Sequence, residues 1–327
     1  MKTAHRRTVP LAVVALLLLA ACSRSSPNAL DPKGPDAQSI AGVAWLMFGL
    51  AAAVYVVVAG FIIFGALRKG DRPSRITDNA FIWVGGLLVP IAILAILAVV
   101  TVKTTDALRE PDPNPLKIEV TGYQYWWGVE YPEQKITTAN EIRVPAGRPV
   151  EIGLQTEDVI HSFWVPELAG KVDMIPGQRN VIRFEADKPG EYRGQCAEFC
   201  GLQHAKMAFL VIAEAPGDYE RWVIRQQRPP AGPSTEREAA GERVFMRSSC
   251  AGCHAIRGTE AQATIGPDLS DFGSRRTLGA VAVPNTRGNL AGWIENSQSI
   301  KPGNLMPPVQ LEPDELLNLV AYLENQR

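Results

Sequence analysis

Histidine and cysteine are scarce in this chain, four and five residues among 327. Scarcity on that scale excludes a disulfide-dense secreted scaffold, and it makes any clustering of the two residue types informative. Acid and base nearly cancel, 34 Asp and Glu against 33 Lys and Arg, and no block of either sign stands out. That balance argues against a nucleic-acid binder, which needs concentrated positive charge, and against a largely disordered chain. Charge is missing altogether from two apolar runs, residues 40–67 and 80–102. Lacking His, Asp, Glu, Lys and Arg, neither run can ligate a haem through histidine or relay protons through its own side chains. At 1.5 Å per residue even the shorter one spans about 34 Å, enough for a bilayer core. Two transmembrane helices, forming a hairpin over residues 40–102, are expected.

The N-terminus carries Lys2, Arg6 and Arg7, then an apolar run from Val9 to Ala21. At about 13 residues this run is too short to span a bilayer and reads as a secretory signal over residues 1–21. Leu19-Ala20-Ala21-Cys22 looks like the lipobox of bacterial lipoproteins, which implies a lipidated Cys22; simple cleavage leaving Cys22 free is the alternative. Residues 22–39 then form an exported N-terminal segment. Arg68, Lys69, Arg72 and Arg75 lie between the apolar runs and mark that side as cytoplasmic, so both ends of the mature chain face outward.

A linker at 103–115 precedes a change of period. "LKIEVTGYQYWWGVEYP", "NEIRVPAGRPVEIGLQT", "HSFWVPEL" and "RNVIRFEADKPGEYRGQC" are rich in β-branched and aromatic residues and are punctuated by Pro and Gly. Such segments predict one antiparallel sandwich or barrel over residues 116–226. The run Tyr123, Tyr125, Trp126, Trp127 and Tyr131 is read as a strand whose rings pack in a core or at an interface. "QRPPAGPSTE", residues 227–236, is a second linker by composition. Residues 237–327 begin helically and end on "EPDELLNLVAYLEN", where Leu316, Leu319, Val320 and Leu323 fall on one helical face behind Pro313.

Cys250-Ala251-Gly252-Cys253-His254 is a C-x-x-C-H motif, with two thiols spaced to add to haem vinyl groups and a histidine placed to ligate iron. A zinc half-site or a redox dithiol is the alternative. Met306, in "IKPGNLMPP", is the candidate sixth ligand, whereas Met246 is too close to the attachment site to reach the opposite haem face. Over residues 237–327 the chain resembles class I cytochrome c. The resemblance includes "GPDL" at 266–269, where Pro267 would orient His254, but Ser297 stands where a proline is more usual in the distal loop.

"GQCAEFCGLQHAKM" packs Cys196, Cys200, His204 and Met207 together, and His161 lies in "EDVIHSFWVPEL". One cysteine with two histidines and a methionine would suit a mononuclear blue copper site. Two cysteines can bridge two coppers in a compact diamond, with His161 and His204 terminal on separate metals and Met207 and a backbone carbonyl completing the set. A Cys196–Cys200 disulfide, a Cys2His2 zinc site and a copper-delivery role remain alternatives.

The transmembrane hairpin, "YQYWWGVEY", "EDVIHSFWVP" and "GQCAEFCGLQHAKM" together resemble subunit II of haem-copper cytochrome c oxidases, and the haem domain resembles the caa-type branch of that family. The resemblance implies a multi-domain protein: a two-helix transmembrane hairpin, an all-β cupredoxin Greek-key barrel and an all-α class I cytochrome c domain. It implies the binuclear CuA centre, with Glu198 giving its backbone carbonyl to copper and its carboxylate to a magnesium at the subunit I interface; a solvated loop carboxylate is the alternative for Glu198. Alignment places Tyr125 where the family has its electron-entry tryptophan, with Trp126 and Trp127 just after it. Asp158 and Asp173 are read as solvated surface carboxylates, or as groups facing a basic donor. Asp78 is the carboxylate nearest the mouth of a family proton path, and that role is not carried over.

The implied protein is a proton-translocating oxidoreductase component of a bacterial inner membrane, with both metal domains on the outer face. Its implied partners are oxidase subunits I and III and, as donor, a cytochrome c or a quinol-oxidising complex. The histidines outside the signal are all used as ligands, so oxygen reduction belongs to subunit I. A CuA-containing nitric oxide reductase subunit and a copper-binding assembly lipoprotein are the rival functions.

Overall fold

A computed structural model of the chain describes residues 27–68, 78–230 and 232–327. The signal segment, Cys22, the loop residues Lys69, Arg72 and Arg75, and the side chain of Asp78 lie outside what is described. Helix α1 spans Pro35–Leu67, and helix α2 covers residues 78–107, with a π-helical stretch Phe81–Leu88 around Gly85 and Gly86. Both are long and apolar enough to cross a membrane, and their apolar windows are wholly unburied within the chain. Both also run past the apolar sequence that predicts them. α1 starts inside the expected exported segment, because Pro35 at its first turn is preorganised for a helix. α2 continues into the expected linker as far as Ala107, since "TVKTTDA" contains no helix breaker.

The foot of α1 is clamped to the β domain. Lys33 N donates to Glu167 O at 2.7 Å, and Asp187 N donates to Lys33 O at 2.9 Å. Gly34 fits here because a Cβ would lie 2.0 Å from Glu185 O.

The β domain is a sandwich of two five-stranded sheets, ordered β3-β2-β1-β5-β8 and β4-β10-β9-β6-β7. In the first are β1 Leu116–Tyr123, β2 Trp126–Tyr131, β3 Ile136–Ala139, β5 Val150–Thr156 and β8 Asn180–Phe184. In the second are β4 Glu141–Pro145, β6 His161–Trp164, β7 Lys171–Met174, β9 Gly190–Cys196 and β10 Ala208–Glu214. The β1–β5 and β4–β10 pairs are parallel and the other pairs antiparallel. Ile118, Val120, Trp127, Val129, Phe163 and Phe209 fill the core, each apolar side chain contributing roughly 1.5–3 kcal/mol on burial.

The aromatic run is not one strand. Tyr123 pairs with Trp126 across a hairpin, which leaves Gln124 and Tyr125 as its two-residue turn. Strand period alone does not reveal such a break, because aromatic residues suit both arms. Helix α3, Pro216–Gln227, closes the domain by laying Trp222 against Tyr131.

The C-terminal domain is helical, with α4 Glu236–Arg247, α5 Arg287–Ile300 and α6 Pro313–Glu324. Leu319, Val320 and Leu323 are buried and Leu316 partly so, on the face that the sequence predicts. α4 crosses α6 at Gly241, where a Cβ would stand 2.0 Å from Asn318 O. A polar seam docks this domain on the sandwich. Thr138 Oγ1 donates to Asp271 Oδ2 at 2.8 Å, and Glu141 Oε1 accepts the N–H groups of Arg276 and Thr277 at 2.8 and 3.0 Å. Asp271 also holds Arg275 in a buried ion pair, so the seam's charged groups are partnered.

Candidate metal centres

His161 opens β6, Cys196 ends β9, and Cys200, His204 and Met207 follow in the loop to β10. Cys196 N donates to Met207 O at 2.8 Å, which pinches the loop shut and draws its donors to one end of the sandwich. The donors form a chain. Cys196 Sγ lies 3.7 Å from His161 Nδ1 and 3.8 Å from Cys200 Sγ. Cys200 Sγ lies 3.8 Å from both His204 Nδ1 and Met207 Sδ, and Glu198 O approaches Cys196 Sγ at 3.2 Å. Two sulfurs 3.8 Å apart are not a disulfide, whose S–S bond is about 2.05 Å. A hydrogen bond from Cys200 is the largest influence pulling the Cys196 thiol down, and the same bond pushes Cys200 up.

The set of two cysteine sulfurs, two imidazoles, a thioether and a carbonyl is soft and exceeds the four donors of a tetrahedral zinc site, so it fits copper. Gly122 makes room for the centre, since a Cβ there would lie 2.8 Å from the His161 ring.

Asp158 is neither merely solvated nor free to face a donor. Its Oδ1 sits 2.8 Å from His161 Nε2, and its Oδ2 accepts from Gln124 N at 2.6 Å. A carboxylate on the far imidazole nitrogen fixes the ring and leaves Nδ1 for a metal. Asp173 instead accepts from Ser162 Oγ at 2.8 Å, which holds its carboxyl below the usual range. Lys171 reaches both Asp173 and, at 3.7 Å, Glu198 Oε2.

The second cluster surrounds an apolar cavity in the helical domain. Cys250, Cys253, His254 and Met306 all line it, with Leu269 and Leu319 among the apolar walls. His254 Nδ1 donates to Pro267 O at 2.8 Å, which leaves Nε2 available to a metal. Burial lowers the His254 pKa, favouring the neutral ring that binds metal. Gly266 lets the chain pass close, as a Cβ there would fall 2.6 Å from His254 Cε1. Ser297, fully buried, donates to Met306 O at 3.0 Å and accepts from Asn304 Nδ2 at 3.1 Å. Hydrogen bonds thus tie down the loop that a proline would otherwise stiffen. An apolar cavity with paired thiols on its rim, an imidazole and a thioether fits a covalently attached haem.

The sandwich supplies the remaining wall of this cavity through Tyr123, Gln124, Tyr125, Trp126, Asn140 and Asp158. Of the aromatic candidates, Trp127 is buried against Phe163 and Phe209, Trp126 stacks on Tyr123 at 4.3 Å, and Tyr125 lies between the two clusters. Sequence reasoning does not find Asp158 as the His161 partner, nor Lys301, whose ammonium enters this wall. No local pattern marks either.

Residues 132–214 match the family described as cytochrome c oxidase subunit II, periplasmic domain, and residues 238–327 match cytochrome c. Cytochrome c oxidase subunit 2 of Alkalihalophilus pseudofirmus is 37% identical over 337 residues, covering 99% of this chain and 97% of that protein. The corresponding protein of Bacillus subtilis is 29% identical, covering 98% of this chain and 97% of its own length. The crystal structure of the periplasmic domain of subunit II of cytochrome oxidase of Bradyrhizobium japonicum is 30% identical over 37% of this chain and 96% of that one, with a TM-score of 0.34. Two matched domains coincide with the two donor clusters and a named relative is similar along nearly the whole length, so the chain belongs to the cytochrome c oxidase subunit 2 family, in a form that carries a cytochrome c domain.

Proposed function

We propose that this subunit takes single electrons at a covalently bound haem c and passes them through binuclear CuA to subunit I, where oxygen is reduced to water. The observation that carries the reading is the common wall: Asp158 lines the haem cavity and also bonds the His161 ring of the copper cluster. When bound, the two groups supply one-electron redox chemistry. The residues of the chain hold and insulate them. Cys250 and Cys253 would tether the haem, and His254 and Met306 would ligate its iron. Cys196 and Cys200 would be the thiolate ligands of the coppers, and His161 and His204 the imidazole ligands. Met207 and the Glu198 carbonyl would complete the set.

Within this proposal α1 and α2 both cross the inner membrane, with the basic loop after Arg68 in the cytoplasm and both metal domains outside. Subunit III and a donor, either a small cytochrome c or a quinol-oxidising complex, complete the assembly. Tyr125 and Trp126 then lie between the centres rather than at an outer entry point. Glu198 remains the candidate magnesium ligand at the subunit I contact, supported by a side chain that is 45% exposed.

Metal analysis of the purified complex tests the reading, with two coppers and one covalent haem expected for this chain. Cys200→Ser should abolish the binuclear copper EPR signal and spare the haem bands. A copper signal unchanged by that substitution would refute the bridging assignment.

A further inference from the structure

We propose that Lys301 is a positioning residue that locks the cytochrome domain onto the sandwich, holding the haem cavity and the copper loop in one fixed register. Its functional meaning rests on the two-centre reading above. Lys301 caps the C-terminus of α5, five residues before Met306, and is only 2% exposed. Its Nζ donates to Gly279 O within its own domain and to Tyr125 O of the sandwich, each at 2.9 Å. A buried amine is costly unless its acceptors are fixed, so the contact is satisfied only when the two domains are seated together.

Tyr125 carries the contact onward. Its hydroxyl accepts the N–H of Leu202 at 2.9 Å, two residues beyond Cys200, and Gln124 Nε2 donates to Cys200 O at 2.5 Å. Gly201 is required beside it, with φ +125° and a Cβ that would stand 2.5 Å from the Tyr125 hydroxyl. The loops bearing Cys200 and Met306 also interlock directly. Gln203 donates to Pro302 O, Lys206 Nζ donates to Ile300 O at 3.0 Å, and Leu202 packs on Gly303, where a Cβ would meet it at 3.0 Å. A domain swinging on its linker as a shuttle would have no use for a buried amine whose second acceptor belongs to the other domain. The geometry instead describes a permanently seated relay, with Lys301 setting the seat.

The test uses the full chain in the purified complex with Lys301→Met, and with Lys301→Gln, which retains two N–H donors on a shorter stem. For Lys301→Met, hydrogen exchange should quicken in residues 200–206 and 278–282. Haem-to-copper electron transfer should slow by about tenfold or more, within the roughly 100-fold loss that a 1 Å misplacement of reacting groups can cause. Reduction of the haem by a small external reductant, and the haem and copper spectra, should stay as in the unsubstituted complex. Lys301→Gln should recover part of the transfer rate. Unchanged exchange and unchanged transfer in Lys301→Met would overturn the proposal, and so would loss of both metal spectra in both variants. Absence of the metal signals from the unsubstituted complex would instead overturn the two-centre reading, while the exchange measurement would still decide the docking.

Discussion

At the scale of single residues, the candidate ligands are held by neighbours that carry no ligand role of their own. Asp158 fixes the His161 ring, Pro267 O fixes His254, and Ser297 anchors the backbone of Met306. Removing such a support leaves every ligand in place but loosens its aim. Asp158→Ala should therefore lower copper affinity by roughly 10–100-fold, read by chelator competition, with haem content unchanged. The ligands themselves were legible because soft donors are rare in this chain and crowd together in sequence. Asp158 was not legible, because an aspartate in a loop is usually solvated and only the fold brings its carboxylate to the imidazole.

At the scale of elements, packing geometry decided what propensity could not. The C-terminal helix α6 was readable from its apolar face and its first-turn proline, and it carries a reciprocal cap in which Glu312 and Glu315 bond each other's backbone N–H groups. Its partner α4 was readable as a helix, yet nothing local announced that Gly241 marks the crossing point. Gly241→Ala places a methyl group against the Asn318 backbone. The cytochrome domain should lose about 1–3 kcal/mol from the resulting strain, seen as an earlier thermal transition of the haem absorbance. Strands β3, β7 and β10 were also missed. β10 is buried along nearly its whole length, so it shows no alternation, and β3 and β7 are four residues each.

At the scale of the whole molecule, the β domain and the cytochrome domain meet along a buried polar seam. Burial pushes the Glu141 carboxyl up from its usual value of 4.5, while the Arg276 amide, Arg275 and Arg143 pull it partly back. The folded carboxyl keeps its proton at pH values where the free one has lost it, so its contribution to the stability of the folded protein is fullest at acidic pH. It weakens as pH rises from about 4.5 through the raised pKa. Glu141→Gln should flatten this dependence, measured as thermal stability from acidic to neutral pH; a dependence that persists in the variant would assign it to another group. By itself the sequence determined the inventory: two charge-free spans, a strand-rich domain, a helical domain and two donor sets, each written within a short stretch or a local period. The tertiary structure alone decided how the sets face each other. Lys301 and Tyr125 are 176 residues apart, and a contact across that separation exists only once two complete cores have formed and presented matching surfaces, which no local pattern records.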